Sequence, residues 1–127
     1  MAEPEGVTFT EEEYLLRERR NLGKSEWING CIVAMAGASA RHNALAARII
    51  ASLDRRLESK PCVVLTSDQR IHIPETGLHT YPDAVVVCGG AIFHAKDSQT
   101  IVNPLVLIEV LSAETEAYDR GAKFAHC

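Results

Sequence analysis

The sequence predicts a mixed α/β (α+β) fold in which a central sheet is flanked by helices. Short apolar runs at residues 83–88 and 105–111 have the length and the branched side chains of buried strands. Residues 39–58 repeat apolar side chains at intervals of three and four, which is typical of one face of a helix. Strands and helices that alternate in this way favour a sheet with helices packed against it.

Length and composition indicate an ordinary globular chain. Its 127 residues, 46% hydrophobic and 24% charged, suit a single domain over residues 1–127. We recognise neither a membrane-spanning run of roughly 20 apolar residues nor a signal peptide, so we expect a cytoplasmic protein with no membrane partner. The four cysteines form no Cys-x-x-Cys pair, which argues against a zinc site, and we expect them to be reduced. The net charge of −4 does not indicate a polyanion partner, although a local basic stripe can dominate binding.

The first third of the chain predicts a helix and a hairpin. Thr10 and Glu13 form a capping box, which begins a helix over residues 11 to about 20. Asn29-Gly30 stands between two apolar segments and predicts a tight hairpin turn within residues 27–33. Glu26 precedes the first strand of this hairpin, and we expect it to be an exposed acid at the strand end.

A long helix should follow Ser39, which is a suitable N-cap, and end near residue 58. His42 belongs to its apolar stripe and should point inward, either as a core histidine bonded to backbone or as a residue that lines a site. A row of arginines recurs every seven residues beside that stripe. This row is either a solvated face or a contact to DNA phosphates. Its members are Arg41, Arg48 and Arg55.

The second half of the chain predicts strands over residues 62–66, 69–73 and 83–88. Residues 91–103 are polar and predict irregular structure, and a final helix should begin near residue 116. Three histidines show no spacing that indicates a metal site, so we expect them at the surface. They are His72, His79 and His94.

Two acids enter the predicted sheet. Asp83 opens one buried strand, and Glu109 interrupts the apolar run at residues 105–111. A carboxylate in such a run is costly unless a cation, a metal or a good donor compensates it. If the two strands are neighbours, both acids can face one side and converge. Converging carboxylates repel each other unless a divalent cation lies between them, and hard oxygen ligands suit magnesium or manganese. The pair therefore predicts metal-dependent phosphodiester hydrolysis. Pairing of Glu109 with Arg70 would instead favour an interaction module.

Several sequence blocks together resemble the Uma-type putative restriction endonuclease family of the PD-(D/E)XK nuclease superfamily. The likeness covers nearly the whole chain, and its blocks come in the family's order. The blocks are Glu26-Trp27-Ile28-Asn29-Gly30, Met35-Ala36-Gly37, Arg41-His42-Asn43, Pro82-Asp83, Ile108-Glu109-Val110-Leu111-Ser112 and Tyr118-Asp119-Arg120-Gly121-Ala122-Lys123-Phe124.

This resemblance implies a restriction-endonuclease-like fold and a magnesium- or manganese-dependent endonuclease that acts on double-stranded DNA. It implies that Asp83 and Glu109 bind the metal, together with the backbone carbonyl of Val110. The superfamily's lysine usually stands two places after the acid, where this chain has Leu111. The family pattern points instead to Lys123. The alternative is that Lys123 only forms a surface ion pair with Asp119.

His42 and Glu26 match family positions of less settled role and are carried as accessory residues. The family also continues beyond Lys123 with a tyrosine where Cys127 stands and with further strands. We therefore expect a C-terminally shortened member with an exposed sheet edge, which favours a homodimer. The alternative is a shortened, non-catalytic nuclease fold that binds DNA or a protein partner.

Overall fold

A computed structural model of the protein describes residues 7–20 and 23–111. Its elements are numbered in chain order. The helices are α1 (Glu11–Arg20) and α2 (Ala40–Arg56), and the strands are β1 (Ser25–Ile28), β2 (Cys31–Ala34), β3 (Cys62–Thr66), β4 (Arg70–Ile73), β5 (Leu78–Thr80), β6 (Ala84–Cys88), β7 (Phe93–His94), β8 (Asp97–Ile101) and β9 (Val106–Ile108). In this part of the chain, neither helix combines the length and the apolar character needed to cross a bilayer.

Local signals fix the beginning of α1 and the first hairpin. The Glu13 amide donates to Thr10 Oγ1 at 3.1 Å, and the Thr10 amide donates to the Glu13 carboxylate at 2.8 Å. This reciprocal pair is the predicted capping box. Asn29 and Gly30 adopt φ angles of 49° and 88°, which a tight turn between β1 and β2 requires. Both predictions are confirmed.

The strands form two sheets around a shared core. The larger sheet has six strands in the order β2-β1-β5-β4-β8-β7, with β4 and β8 parallel and the other pairs antiparallel. The smaller sheet, β3-β6-β9, is antiparallel. Ile71 and Ile101 of the larger sheet pack with Val85 and Val87 of the smaller one. This core confirms the mixed α/β class, although β5, β7 and β8 lie in segments where no strand was predicted.

Helix α2 packs against β3 of the smaller sheet. Its half-buried residues are His42, Ala46, Ile49, Ile50 and Leu53, which form the predicted stripe. On the same sheet the sulfurs of Cys62 and Cys88 are bonded to each other. The expectation of reduced cysteines is wrong for this pair, because the antiparallel register of β3 and β6 brings the two residues directly opposite each other.

In the part of the chain that the structure describes, the apolar run at residues 105–111 is exposed rather than covered on both faces, contrary to the prediction. Only three of its residues form β9, and Leu105 is 66% exposed while Val106 and Leu107 are also exposed. Within the described residues β9 is the outer strand of the small sheet, with β6 as its neighbour. Apolar composition alone does not distinguish an edge strand from an inner one, which explains the wrong expectation.

Candidate active site

The register of β6 and β9 brings the two predicted acids to one end of the small sheet. The strands are antiparallel and their ladder ends at the pair Ala84 and Ile108, so Asp83 and Glu109 are the next residue of each strand beyond the ladder. Asp83 is half-buried and Glu109 is exposed. Both acids therefore lie at the same rim of the sheet.

Asp83 is held by two donors. Its Oδ2 accepts a hydrogen bond of 2.6 Å from the Val110 amide and lies 3.1 Å from His42 Nε2. Because a carboxylate oxygen can only accept, Nε2 carries the proton in this contact. The His42 and Asp83 side chains are 18% and 16% exposed. These contacts fix the orientation of the Asp83 carboxylate at the sheet rim.

The N-cap of α2 positions His42. Ser39 is the N-cap, and its side chain accepts a hydrogen bond from the His42 amide at 3.1 Å. A cavity of about 220 Å³ lies between the first half of α2 and the end of β3. His42, Asp83 and Thr66 are among the residues that line it. The half-buried acid therefore faces an open space large enough for several water molecules or a phosphate group.

The predicted arginine row lies on the outside of α2. Arg41, Arg48 and Arg55 are all exposed. A spacing of seven residues corresponds to about 10 Å along a helix and nearly two full turns. The three side chains therefore follow one line along the helix that carries His42.

Glu26 is buried, at 6% exposure, and the expectation of an exposed acid is wrong. It lies in β1, which has β2 on one side and β5 on the other, so the end of the strand is covered. The Thr80 hydroxyl of β5 donates to its carboxylate. Lys123 and the predicted final helix lie outside the described residues.

Arg70 belongs to a separate buried network. Its guanidinium donates to Thr100 Oγ1 at 2.8 Å, to the Tyr81 hydroxyl at 2.7 Å and to the Asp97 carboxylate. Burial, and a hydrogen bond from the Tyr81 hydroxyl to Glu18, raise the pKa of Tyr81 to about 12. Three nitrogens of Arg70 are thus engaged with partners on the larger sheet and beside α1.

A cluster of three histidines around Glu11 was missed. His79 Nε2 and His94 Nε2 lie 2.8 and 3.1 Å from Glu11 Oε2, and His72 Nε2 lies 3.8 Å from the same oxygen. The expectation of scattered surface histidines is wrong. The loop at residues 74–77 was a usable signal, because a hairpin closed there pairs His72 with His79, as β4 and β5 do.

Burial and the contacts between Glu11 and the histidines shift the pKa values of this cluster in opposite directions. His79 is fully buried, and burial lowers its pKa to about 4 despite the Glu11 carboxylate beside it. Burial acts to raise the pKa of Glu11, but the hydrogen bond to His79 and the neighbouring charge of His94 outweigh it, so the pKa is lowered. At neutral pH the cluster therefore contains an ionised carboxylate and a neutral His79.

Comparisons with known proteins agree with this architecture. A solved structure described as a putative nuclease belonging to DUF820, from Anabaena variabilis ATCC 29413, superposes with a TM-score of 0.64 at 18% sequence identity. The match covers 91% of this chain and 65% of that one. It shows that the two chains share a fold.

Two uncharacterized proteins of Synechocystis sp. (strain ATCC 27184 / PCC 6803 / Kazusa) are also similar. One is 40% identical over 113 residues, and the other is 35% identical over 116 residues. The matches cover 89% and 91% of this chain but 58% and 66% of the two relatives, so the chain spans less than two thirds of their length. The family model described as "Uma2: Putative restriction endonuclease" matches residues 11–127. The resemblance inferred from the sequence blocks is confirmed, and the chain belongs to the Uma2 family.

Proposed function

We propose that this protein is a metal-dependent endonuclease that hydrolyses phosphodiester bonds of double-stranded DNA. One observation carries the proposal: Asp83 and Glu109 lie directly beyond the last β6–β9 pair at the same rim of a sheet, and Asp83 lines an open cavity. The family membership supports a nuclease, and the shared fold with a nuclease-like structure is consistent with it. The catalytic residues in this proposal are Asp83, Glu109 and Lys123.

The donor set fits magnesium or manganese. Both acids offer hard carboxylate oxygens, and in this proposal they share one ion with bonds of about 2.1 Å. Carboxylates that bind metals are usually held by hydrogen bonds from outside the coordination shell. The Val110 amide and His42 Nε2 supply such bonds to Asp83. The Val110 carbonyl is the proposed third ligand atom.

A bound magnesium ion would lower the pKa of a coordinated water and offset the charge of the phosphate. The remaining work falls to this chain's own side chains. His42 orients the Asp83 carboxylate through its Nε2 proton. Lys123 is proposed to stabilise the charge that develops on the phosphate. Glu26 remains an accessory residue, held by Thr80 inside the larger sheet.

The arginine row is the proposed DNA contact. Exposed guanidinium groups at Arg41, Arg48 and Arg55 line the helix that carries His42. Phosphate contacts from such groups position a duplex without reading its sequence. Because the whole chain carries a net charge of −4, this local row would provide the attraction.

Self-association is proposed through the small sheet. Leu105, Val106 and Leu107 are exposed on or beside the outer strand β9. An exposed apolar edge strand favours pairing with a second copy, and hence a homodimer. Light scattering at micromolar concentration tests this, and a purely monomeric mass would contradict it.

Nicking of supercoiled plasmid tests the activity. We expect cleavage with magnesium or manganese by the parent protein and a loss of more than about 100-fold in Asp83→Ala and Glu109→Ala, since even indirect metal contacts are worth 10- to 100-fold. Glu75→Ala, which removes an exposed acid of the β4–β5 loop, serves as the matched control. Absence of cleavage by folded parent protein would favour the alternative, a non-catalytic module that binds DNA or a protein.

A further inference from the structure

We propose that Glu11, His72, His79 and His94 form a zinc-binding site that fastens α1 to the larger sheet. The site shares no residue with the proposed active site and does not depend on the proposed nuclease activity. Its four ligand groups come from four elements, since Glu11 begins α1 and the histidines lie on β4, β5 and β7. A single ion would therefore connect the helix to three strands.

The geometry suits a tetrahedral ion. Zinc bonds of about 2.0–2.1 Å to nitrogen and oxygen place neighbouring ligand atoms about 3.3 Å apart. The three distances from the histidine Nε2 atoms to Glu11 Oε2 are 2.8, 3.1 and 3.8 Å and lie on both sides of that value. One ligand atom from each of the four residues falls within 4.8 Å of all the others. Small side-chain movements would accommodate an ion.

The environment is that of a closed, structural site. His79 is fully buried, and Glu11, His72 and His94 are mostly covered. The rings of Tyr14 and Trp27 lie 5.1 and 5.8 Å from the His79 ring and form an aromatic wall. Four protein ligands leave no open position for a substrate, which is the pattern of structural zinc. Three imidazoles and one carboxylate favour zinc over magnesium.

A backbone hydrogen bond orients the His72 ring toward Glu11. His72 Nδ1 lies 3.2 Å from the Leu78 carbonyl oxygen, which can only accept, so Nδ1 donates in this contact. His72 Nε2, which lies 3.8 Å from Glu11 Oε2, is then the ring nitrogen that faces the cluster. A backbone carbonyl that holds the second ring nitrogen is the usual outer contact of a metal-bound histidine.

Metal binding at Nε2 requires the ring proton of the other two histidines on Nδ1. Within the described residues His79 Nδ1 has no hydrogen-bond partner. It can therefore carry the ring proton without losing a hydrogen bond that it accepts. His94 Nδ1 accepts from the Lys96 amide at 3.0 Å, and this contact must open. Lys96 is exposed, so its amide can donate to water instead.

Metal titration of the whole chain tests the site. Protein treated with a chelator and then dialysed should take up one zinc ion per chain, measured by elemental analysis. Cobalt in place of zinc should give the visible absorption bands of a tetrahedral ion. His72→Gln and His94→Gln should each weaken zinc binding by more than about 100-fold, because loss of a direct ligand exceeds the 10- to 100-fold effect of an outer contact.

His42→Gln is the matched control, since it removes a histidine outside the cluster, and its zinc affinity should equal that of the parent. Equal loss of zinc in this control and in the cluster variants would overturn the proposal. So would a folded parent protein, verified by circular dichroism, that takes up no zinc. The cobalt spectrum of the parent tests the site independently should a variant fail to fold, and octahedral bands would overturn the proposal.

Discussion

Two regions of the molecule each join a histidine to a carboxylate, yet their surroundings differ. His42 lies 3.1 Å from Asp83 at the rim of the small sheet, beside a cavity of about 220 Å³. His79 lies 2.8 Å from Glu11 beneath aromatic rings and next to two further histidines. The first region is open and rich in oxygen ligands, whereas the second is closed and rich in nitrogen ligands. The same pair of residue types is therefore proposed to take part in two different metal sites.

The comparison teaches that the surroundings of a ligand decide what it can do. An open oxygen site allows a hard ion to keep waters and meet a phosphate, as the proposed hydrolysis requires. A closed nitrogen site contributes binding energy to the folded state only. The open region should therefore control activity, and the closed region should control stability.

Zinc should produce the largest change in stability. At a free concentration 1,000 times its dissociation constant, an ion that binds only the folded chain stabilises it by about 4 kcal/mol. For a chain of this size that corresponds to a rise in Tm of about 12 °C. Magnesium at the same concentration should raise Tm far less, because imidazole ligands favour zinc over magnesium. Thermal unfolding of the parent and of His72→Gln with each ion measures the difference, and equal shifts from both ions would contradict the division of roles.

Asp97→Asn should lower the free energy of unfolding by about 3 kcal/mol, since it leaves the buried Arg70 guanidinium without its charged partner. The Asp97 and Arg70 side chains are both nearly covered. Asp68→Asn is the matched control. Asp68 forms an ion pair with Lys24, but its side chain is 89% exposed. The control should change stability by less than about 0.5 kcal/mol. Urea unfolding at neutral pH measures both variants, and equal losses would contradict the role of burial.

The same substitution has a defined pH dependence. Burial acts to raise the pKa of Asp97, but hydrogen bonds from Thr100 and Arg70 outweigh it and hold the pKa below the ordinary value of 3.8. The ionised form is therefore favoured by folding, and its contribution is fully present above pH 3.8 and lost as pH falls through the lowered pKa. The difference in free energy of unfolding between the parent and Asp97→Asn should decrease below about pH 4. A gap that stays constant down to pH 2 would contradict this.

The two helix caps offer a matched pair of smaller changes. Thr10 caps α1 next to Glu11, and Ser39 caps α2 with a hydrogen bond from the His42 amide. Thr10→Ala and Ser39→Ala should each lower stability by about 1 kcal/mol. We expect zinc affinity to fall only in Thr10→Ala and plasmid nicking only in Ser39→Ala. Metal titration and nicking assays on both variants measure this, and loss of both properties in one variant would show that the two regions are coupled.

Local patterns predicted the parts of the fold that local physics determines. The capping box, the Asn29-Gly30 turn and the apolar stripe of α2 depend on residues a few positions apart, and all three are confirmed. The two apolar runs that contain Asp83 and Glu109 were identified from the sequence, which left open whether they are neighbouring strands; their antiparallel pairing comes from the structure. The proposed role of the two acids as metal ligands stays a prediction.

The rest depends on contacts between distant segments. Strand β8 is polar in sequence, yet Asp97 and Thr100 are buried because they meet Arg70 from β4. The cysteine bond and the histidine cluster depend in the same way on pairings that bring residues 26 to 83 positions apart into contact. Sequence periodicity contains no information on such pairings, except where a short hairpin fixes the register, as it does for His72 and His79.

The smallest effect concerns the arginine row on the open side. If Arg48 contacts one phosphate, Arg48→Ala should reduce the slope of log K against log salt by about 0.9, with a modest loss of affinity at any one salt concentration. Fluorescence anisotropy with a labelled duplex measures this, in an Asp83→Asn background that prevents cleavage. Arg20→Ala provides the control, because Arg20 is exposed at the end of α1. A change of slope in Arg20→Ala and none in Arg48→Ala would contradict the proposed contact between α2 and DNA. It would indicate instead that the duplex binds on the side of the molecule that α1 covers.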